Sequence, residues 1–186
     1  MKICIGVPTN RSVKAKTAQS LLELVARGGH EFCFVFATEG YTVAENRNYI
    51  VVQALNAKCD WLLFVDDDMT FPPDTLERLL AHGKRIIGVA SHSRLLPVKY
   101  TVELLEGSAE LPNELFEARA VGCGVMLVDT SIFRELNRPW FGFKTFDTGQ
   151  IARGEDAWFC DLARDNGYKV WCDPTIPIGH IGDYSY

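Results

Sequence analysis

Three consecutive aspartates, Asp66, Asp67 and Asp68, follow the apolar run "WLLFV" at positions 61–65. Adjacent carboxylates repel, and burying even one is costly unless something compensates it. Two further apolar runs end in polar residues, one in Pro8-Thr9-Asn10-Arg11 and the other in Thr38-Glu39-Gly40. Late in the chain come the acidic pair Glu155-Asp156 and a histidine, His180, between Gly179 and Gly182. Clustered carboxylate oxygens suit a hard cation such as Mg²⁺ or Mn²⁺, which in turn accepts phosphate oxygens. The plainer reading of the aspartates is a solvated turn leading into a helix cap. Three in a row behind five apolar residues, with Phe71-Pro72-Pro73 after them, favour a metal site.

The elements that must position these groups are legible as hydrophobic periodicity. Five stretches are almost continuously apolar: 2–7, 32–37, 61–65, 85–90 and 125–129. That is the pattern of strands covered on both faces, as in a parallel sheet. Helical spacing lies between the first four. Ala18, Leu21, Leu22 and Val25 make one stripe, with Gly28-Gly29 as its stop. Ile50, Val51, Ala54 and Leu55 make a second, and Leu76, Leu79 and Leu80, ending at Gly83, a third. The first ninety residues therefore read β-α-β-α-β-α-β. In such sheets ligands bind beyond the carboxyl ends of the strands, where the polar ends converge. After residue 90 the pattern becomes a smaller mixed or antiparallel element, with short helices at "TSIFRELN" and "GEDAWFCDLARDNG" and a late strand at "YKVWCDP". Residues 1–186 are expected to form one domain, 1–90 its nucleotide-binding half and 91–186 the half for donor sugar and acceptor.

Composition limits the function classes. The chain has 186 residues with 24 acidic against 19 basic, a net charge of −5. A duplex nucleic-acid binder would present a basic face, so none is expected. No stretch approaches the ~20 apolar residues of a membrane span. The six cysteines form no CxxC pair and read as reduced core residues, which implies a cytoplasmic protein.

An apolar strand ending in an Asp-x-Asp triplet after a β-α-β-α run resembles the GT-A fold glycosyltransferases, in particular the family-2-like group with its small phage and bacterial members. Other segments agree in order: "AENRNYIVVQAL" with that family's "ARN" segment, "VGCGVMLVD" with its sugar-pocket segment, "GEDAWFCDLARDNGYKVWCDP" with its acidic pair, helix and strand, and "IGHIGD" with its late histidine. The resemblance implies a Rossmann-like, mostly parallel sheet flanked by helices, with a smaller mixed or antiparallel acceptor-side element. It implies transfer of a hexose from a nucleotide diphosphate sugar, UDP favoured and GDP possible, to a hydroxyl acceptor, with inversion. Pro8, Thr9, Asn10 and Glu39 would line the nucleoside pocket, with Arg47 and Asn48 beside it. Asp66 would touch ribose or metal, Asp67 the nucleotide sugar, and Asp68 and His180 would ligate Mn²⁺ or Mg²⁺. Gly122 and Gly124 would let backbone approach the sugar. Asp156 would be the general base and Glu155 would orient acceptor or donor. The acceptor is expected to be soluble rather than a lipid carrier.

Several of these residues also have structural readings. Glu155 and Asp156 suit a helix start, Arg47 and Asn48 an exposed helix face, Gly122 and Gly124 packing or a bulge. Trp140, Phe141 and Phe143 form a sugar-stacking platform or, more commonly, core. The rival enzyme reading takes "DDDMT" as the first motif of haloacid-dehalogenase-like phosphatases, with Asp66 as nucleophile, Asp68 as acid/base, and Ser91 and Lys99 in support. That motif normally sits on the first strand, and here it ends the third. A non-catalytic sugar-nucleotide-binding module is the remaining alternative.

Overall fold

The computed structural model describes residues 1–92, 100–105 and 110–182. The strands are β1 (Lys2–Pro8), β2 (Glu31–Ala37), β3 (Trp61–Val65), β4 (Met69–Thr70), β5 (Ile86–Val89), β6 (Val102–Leu104), β7 (Phe116–Val121), β8 (Val125–Asp129), β9 (Lys144–Thr145), β10 (Ile151–Arg153), β11 (Val170–Asp173) and β12 (Gly179–His180). The helices are α1 (Ala15–Ala26), α2 (Val43–Asn56), α3 (Thr75–Ala81), α4 (Ile132–Glu135) and α5 (Glu155–Asp165). Eight strands form one sheet in the order β2-β1-β3-β8-β5-β11-β7-β6. β1 pairs in parallel with β2 and β3, and β5 in parallel with β11.

The mixed element expected after residue 90 is woven into this sheet. β8 runs antiparallel between β3 and β5, and β7 and β6 extend the far edge antiparallel to β11 and to each other. β8 is as apolar as its neighbours because it lies at the centre. Alternate residues enter opposite cores: Leu62, Phe64, Met126 and Val128 face one, Leu63, Val65, Val125 and Leu127 the other. α2, α4 and α5 cover the first face (Ile50, Val51, Phe133, Phe159), and α1 and α3 the second (Leu21, Leu24, Leu76, Leu79). All these side chains are essentially buried, each contributing roughly 1.5–3 kcal/mol from lost apolar exposure.

Two packing expectations are corrected. Leu22 does not join the α1 stripe: it is 70% exposed, and Thr17, Ser20, Leu21 and Leu24 face the sheet instead. The Ser20 hydroxyl accepts the Phe71 backbone N–H, and that polar contact turns the helix away from a purely apolar face. β2 is not covered on both faces: it is an edge strand, and Phe34 and Phe36 are exposed. The aromatic cluster is core, with Trp140 and Phe141 buried and Phe141 stacked on Phe159; Phe143 packs against the same core from a half-buried position.

α2 lies flush on β1 because Gly6 has no side chain. A Cβ there would sit 2.3 Å from Ile50 Cγ2. Gly6→Ala is expected to destabilise the protein by about 1–3 kcal/mol, the usual cost of overpacking. Leu22→Gln should change stability by less than about 0.5 kcal/mol. Urea denaturation of the two variants checks both, and a large loss in Leu22→Gln would restore the stripe expected from periodicity.

Candidate active site

The carboxyl ends of β1, β2 and β3 open into a cleft of about 390 Å³. Its walls include Pro8, Thr9 and Asn10 from β1, Tyr41, Asn46 and Arg47 from the start of α2, all three aspartates, Glu155 and His180. Nine of the residues expected from sequence therefore meet in one place. Each side is held by local structure. Thr9 N–H donates to the Ala37 carbonyl, tying the ends of β1 and β2. Thr42 and Glu45 cap α2 reciprocally. Gly40 N–H donates to Asn46 Oδ1, and a Cβ at Gly40 would lie 2.6 Å from that oxygen. Only glycine allows this approach.

The three aspartates have separate surroundings. Their backbone is clamped from three directions: Asp66 N–H donates to the Gly124 carbonyl, Lys14 N–H to the Asp67 carbonyl and Ile181 N–H to the Asp68 carbonyl. Asp66 Oδ1 accepts from Arg47 Nη2 at 2.8 Å. Arg47 Nε donates to Glu155 Oε1 at 3.3 Å. The Arg47 side chain is only 3% exposed, lies over the Phe64 ring, and keeps Nη1 buried without a hydrogen-bond partner among the described residues. The adjacent Asp66 carboxylate holds Arg47 charged despite burial. Arg47 is thus no exposed helix-face residue; it joins β3, α2 and α5.

His180 arrives beside Asp68 because β12 pairs antiparallel with β4, His180 opposite Met69. His180 Nε2 lies 3.3 Å from Asp68 Oδ1, and Nδ1 is 2.7 Å from the His92 carbonyl. A ring whose Nδ1–H donates to a carbonyl presents Nε2 as a lone-pair ligand, the usual preparation of a metal-binding histidine. Asp68, 4% exposed, supplies a hard oxygen next to it. This donor pair fits a divalent cation. Asp66, expected with them, is instead engaged by Arg47, and the aspartates and His180 do not form a group of three ligand atoms mutually within 4.8 Å. Two protein ligands leave the remaining positions to water and phosphate, as Mg²⁺ sites commonly do.

The other sequence candidates lie around the cleft rather than on it. Glu39 lines a neighbouring concavity with Phe36, Tyr41 and Tyr49. Asn48 is a structural pin: its Oδ1 accepts from the Trp140 and Phe141 N–H groups and its Nδ2 donates to the Phe141 carbonyl. Gly122 packs against Thr101, and Gly124 against Met69 with Asp66 Oδ2 beyond. Asp156 follows Glu155 in the first turn of α5 and its Oδ1 accepts the Ala157 N–H. Burial, then the charge of Glu155, raises its pKa above the ordinary aspartate value. Ser91 is buried and bonded to Thr101; Lys99 lies outside the described residues. Tyr41, Asn46 and the His92 carbonyl were not anticipated. The Thr42–Glu45 capping box was the signal that would have placed Asn46 at the cleft.

Comparison with known proteins follows this geometry. Residues 7–90 match the family model described as Glycosyl transferase family 2. No curated protein sequence matches the chain. Among solved structures, A197 from STIV superposes with a TM-score of 0.70 at 18% identity, over 98% of this chain and 87% of that one. S. aureus TarS 1-349 in complex with UDP-GlcNAc gives 0.53 at 15% identity, over 92% of this chain and 56% of that chain. The inositol-1-phosphate CTP transferase from T. maritima gives 0.56 at 14% identity, over 97% and 89%. The fold is of the GT-A glycosyltransferase type, and the family-2 resemblance holds over the first half.

Removing the guanidinium would leave Asp66 and Glu155 facing each other unpaired. Arg47→Met is expected to cost about 3 kcal/mol, the low end for breaking a buried pair, because the Asp66 side chain is 32% exposed and can rehydrate. Arg47→Lys should recover only part of this, since one ammonium cannot reproduce the fork. Thermal or urea unfolding of both variants measures the difference, and a neutral Arg47→Met would refute the linchpin role.

Proposed function

From a family-2 match over residues 7–90 and a GT-A type fold, we propose that the protein is a metal-dependent glycosyltransferase that moves a hexose from a nucleotide diphosphate sugar to an acceptor hydroxyl with inversion. The observation that carries this is the meeting of the Asp68–His180 donor pair with Pro8, Thr9, Asn10 and Arg47 in one cleft at the strand ends. UDP is the favoured base and GDP the alternative; the UDP-GlcNAc complex of TarS shows that a chain of similar fold takes a UDP-sugar.

Pro8, Thr9 and Asn10 form the wall for the nucleoside, with Glu39 at its outer side. Asp68 and His180 would hold Mn²⁺ or Mg²⁺. Such an ion neutralises the charge that develops on the leaving diphosphate. Asp66 is held in place by Arg47, on the side where the anomeric carbon becomes oxocarbenium-like. Glu155, fixed by the same guanidinium, orients acceptor or donor. Asp156, the neighbour of Glu155 just outside the cleft wall, would accept the proton of an attacking hydroxyl that enters on the α5 side. Its raised pKa makes it a stronger base than an ordinary aspartate. The phosphatase reading is disfavoured because its nucleophile, Asp66, is tied up in an ion pair with a buried arginine.

Calorimetric titration with UDP and GDP, with and without Mn²⁺, tests the site. Metal-dependent binding of one diphosphate is expected, and Asp68→Ala should abolish it. Unchanged metal-dependent affinity in that variant would remove the proposed ligand pair.

The base assignment has its own test. The carboxylate form is the active one, so kcat/KM should fall as pH drops through the folded-state pKa of Asp156. That limb should lie above the ~3.9 of an unperturbed aspartate. Asp156→Asn should keep donor binding, lose transfer and lose the limb. A raised pKa also means that ionised Asp156 weakens the fold as pH rises through that value. The same variant should therefore be at least as stable as the parent at pH 7. Retained turnover would exclude Asp156 as base and turn attention to Glu155.

A further inference from the structure

A second cluster of ligand-type side chains lies away from the cleft. The Sγ atoms of Cys4, Cys33 and Cys59 all lie within 4.8 Å of one another, and those of Cys33 and Cys59 are 3.2 Å apart. The cluster is assembled by three separate elements. Cys4 and Cys33 are direct register partners of β1 and β2. Cys59 follows α2, where Lys58 takes a positive φ of 54° and the Cys59 N–H donates to the Ala54 carbonyl. That turn brings the Cys59 sulfur beneath α2, on the face that Cys4 and Cys33 share. Cys4 lies four residues before Pro8, so the cluster is roughly 13 Å along the strand from the cleft wall.

We propose that Cys4, Cys33 and Cys59 form a binding site for one thiophilic metal ion, Zn²⁺, distinct from the cation of the cleft. Metal–sulfur bonds of ~2.3 Å place thiolates around one ion about 3.8–4.6 Å apart, from a tetrahedral edge to the linear limit. All three sulfurs lie within 4.8 Å of one another, and the Cys33–Cys59 pair, at 3.2 Å, opens by well under 1 Å to reach that range. A disulfide uses two sulfurs and gives no reason for a third at the same distance; three sulfurs are a ligand set. A hard cation such as Mg²⁺ is not expected here, because the ligand group found among the described residues is all sulfur. Cys33 is half-buried on the edge strand, which provides a route in.

Binding balances as one Zn²⁺ exchanged for three thiol protons. The product carries one net negative charge. Lys2 lies close enough to favour the Cys59 thiolate, while Asp60 opposes it. The ion would fasten β2, which pairs only with β1, to the β1 strand and to the connection that carries α2 into β3.

The test uses the full chain, reduced and stripped with a chelator, titrated with Cd²⁺ and followed by the ultraviolet thiolate-to-cadmium charge-transfer band. Oxygen and nitrogen ligands give no such band, so the cleft is silent. The expected result is saturation at one Cd²⁺ per chain and displacement by Zn²⁺. At least tenfold weaker binding is expected in Cys33→Ser and Cys59→Ser, with an unchanged band in Asp68→Ala. Zn²⁺ should raise the melting temperature of the parent and not of Cys33→Ser. Should Cys59→Ser not fold, Cys33→Ser at the sheet edge still decides. No band, a band that survives in Cys33→Ser, or a Cys33–Cys59 disulfide whose reduction yields no ion uptake would each overturn the site. None of these outcomes bears on the transferase reading, which stands or falls on the diphosphate titration.

Discussion

A buried guanidinium between two carboxylates organises this molecule. Arg47 reaches Asp66 at the end of β3 and Glu155 at the start of α5. It gathers the two acidic side chains at one point. The central sheet can present an aspartate at a strand end, and α5 can begin with an acidic pair, but like charges drive such groups apart. One fully charged arginine, with Phe64 beneath it, turns that repulsion into an ordered cluster. It also links the first half of the chain to the second across 108 residues of sequence. A buried ion pair is weak evidence for stability taken alone; here it is better read as a device for position. Nη1, buried without a partner among the described residues, fits that view, because a group chosen only for stability would have its buried donors paired.

The aspartate triplet shows the same economy in its backbone. Three successive residues are clamped by three different segments, those of Gly124, Lys14 and Ile181. The triplet lies in the turn between β3 and β4, closed by Met69 N–H donating to the Asp66 carbonyl, so each carboxylate acquires a different neighbour. Asp66 meets Arg47, and Asp68 meets His180. Repulsion within the triplet is relieved by separating the side chains rather than by gathering all three around one ion. The antiparallel insertion of β8 between β3 and β5 matters here, because the turn that leads into it carries the Gly124 carbonyl that fixes Asp66.

The solved structures share an architecture with this chain at 14–18% identity, and they include both a UDP-GlcNAc complex and a CTP transferase. A common GT-A scaffold therefore leaves the chemistry open. The choice rests on side chains: an acidic strand end, a prepared histidine and a second acidic pair. Family-2 similarity over 7–90 adds weight to the first half. The second half, where Glu155, Asp156 and His180 reside, is argued from geometry.

The sequence by itself determined the order of the elements and the end of the sheet at which the chemistry gathers. Continuous apolar runs at 2–7, 32–37, 61–65, 85–90 and 125–129 read as strands of one sheet, which they are, and their polar ends named Pro8, Thr9, Asn10 and the aspartates. Periodicity is a one-dimensional signal and carries these facts well. It could not say that β8 runs antiparallel in the middle, that Ser20 rather than Leu22 is buried, or that Asn48 pins Trp140 and Phe141 while its neighbour Arg47 turns to the cleft. Those choices belong to the tertiary structure, because each depends on a hydrogen bond or ion pair between residues far apart in sequence. Nothing in the run of letters shows that Cys4, Cys33 and Cys59 share one spot. Strand register and the left-handed turn at Lys58 bring them together.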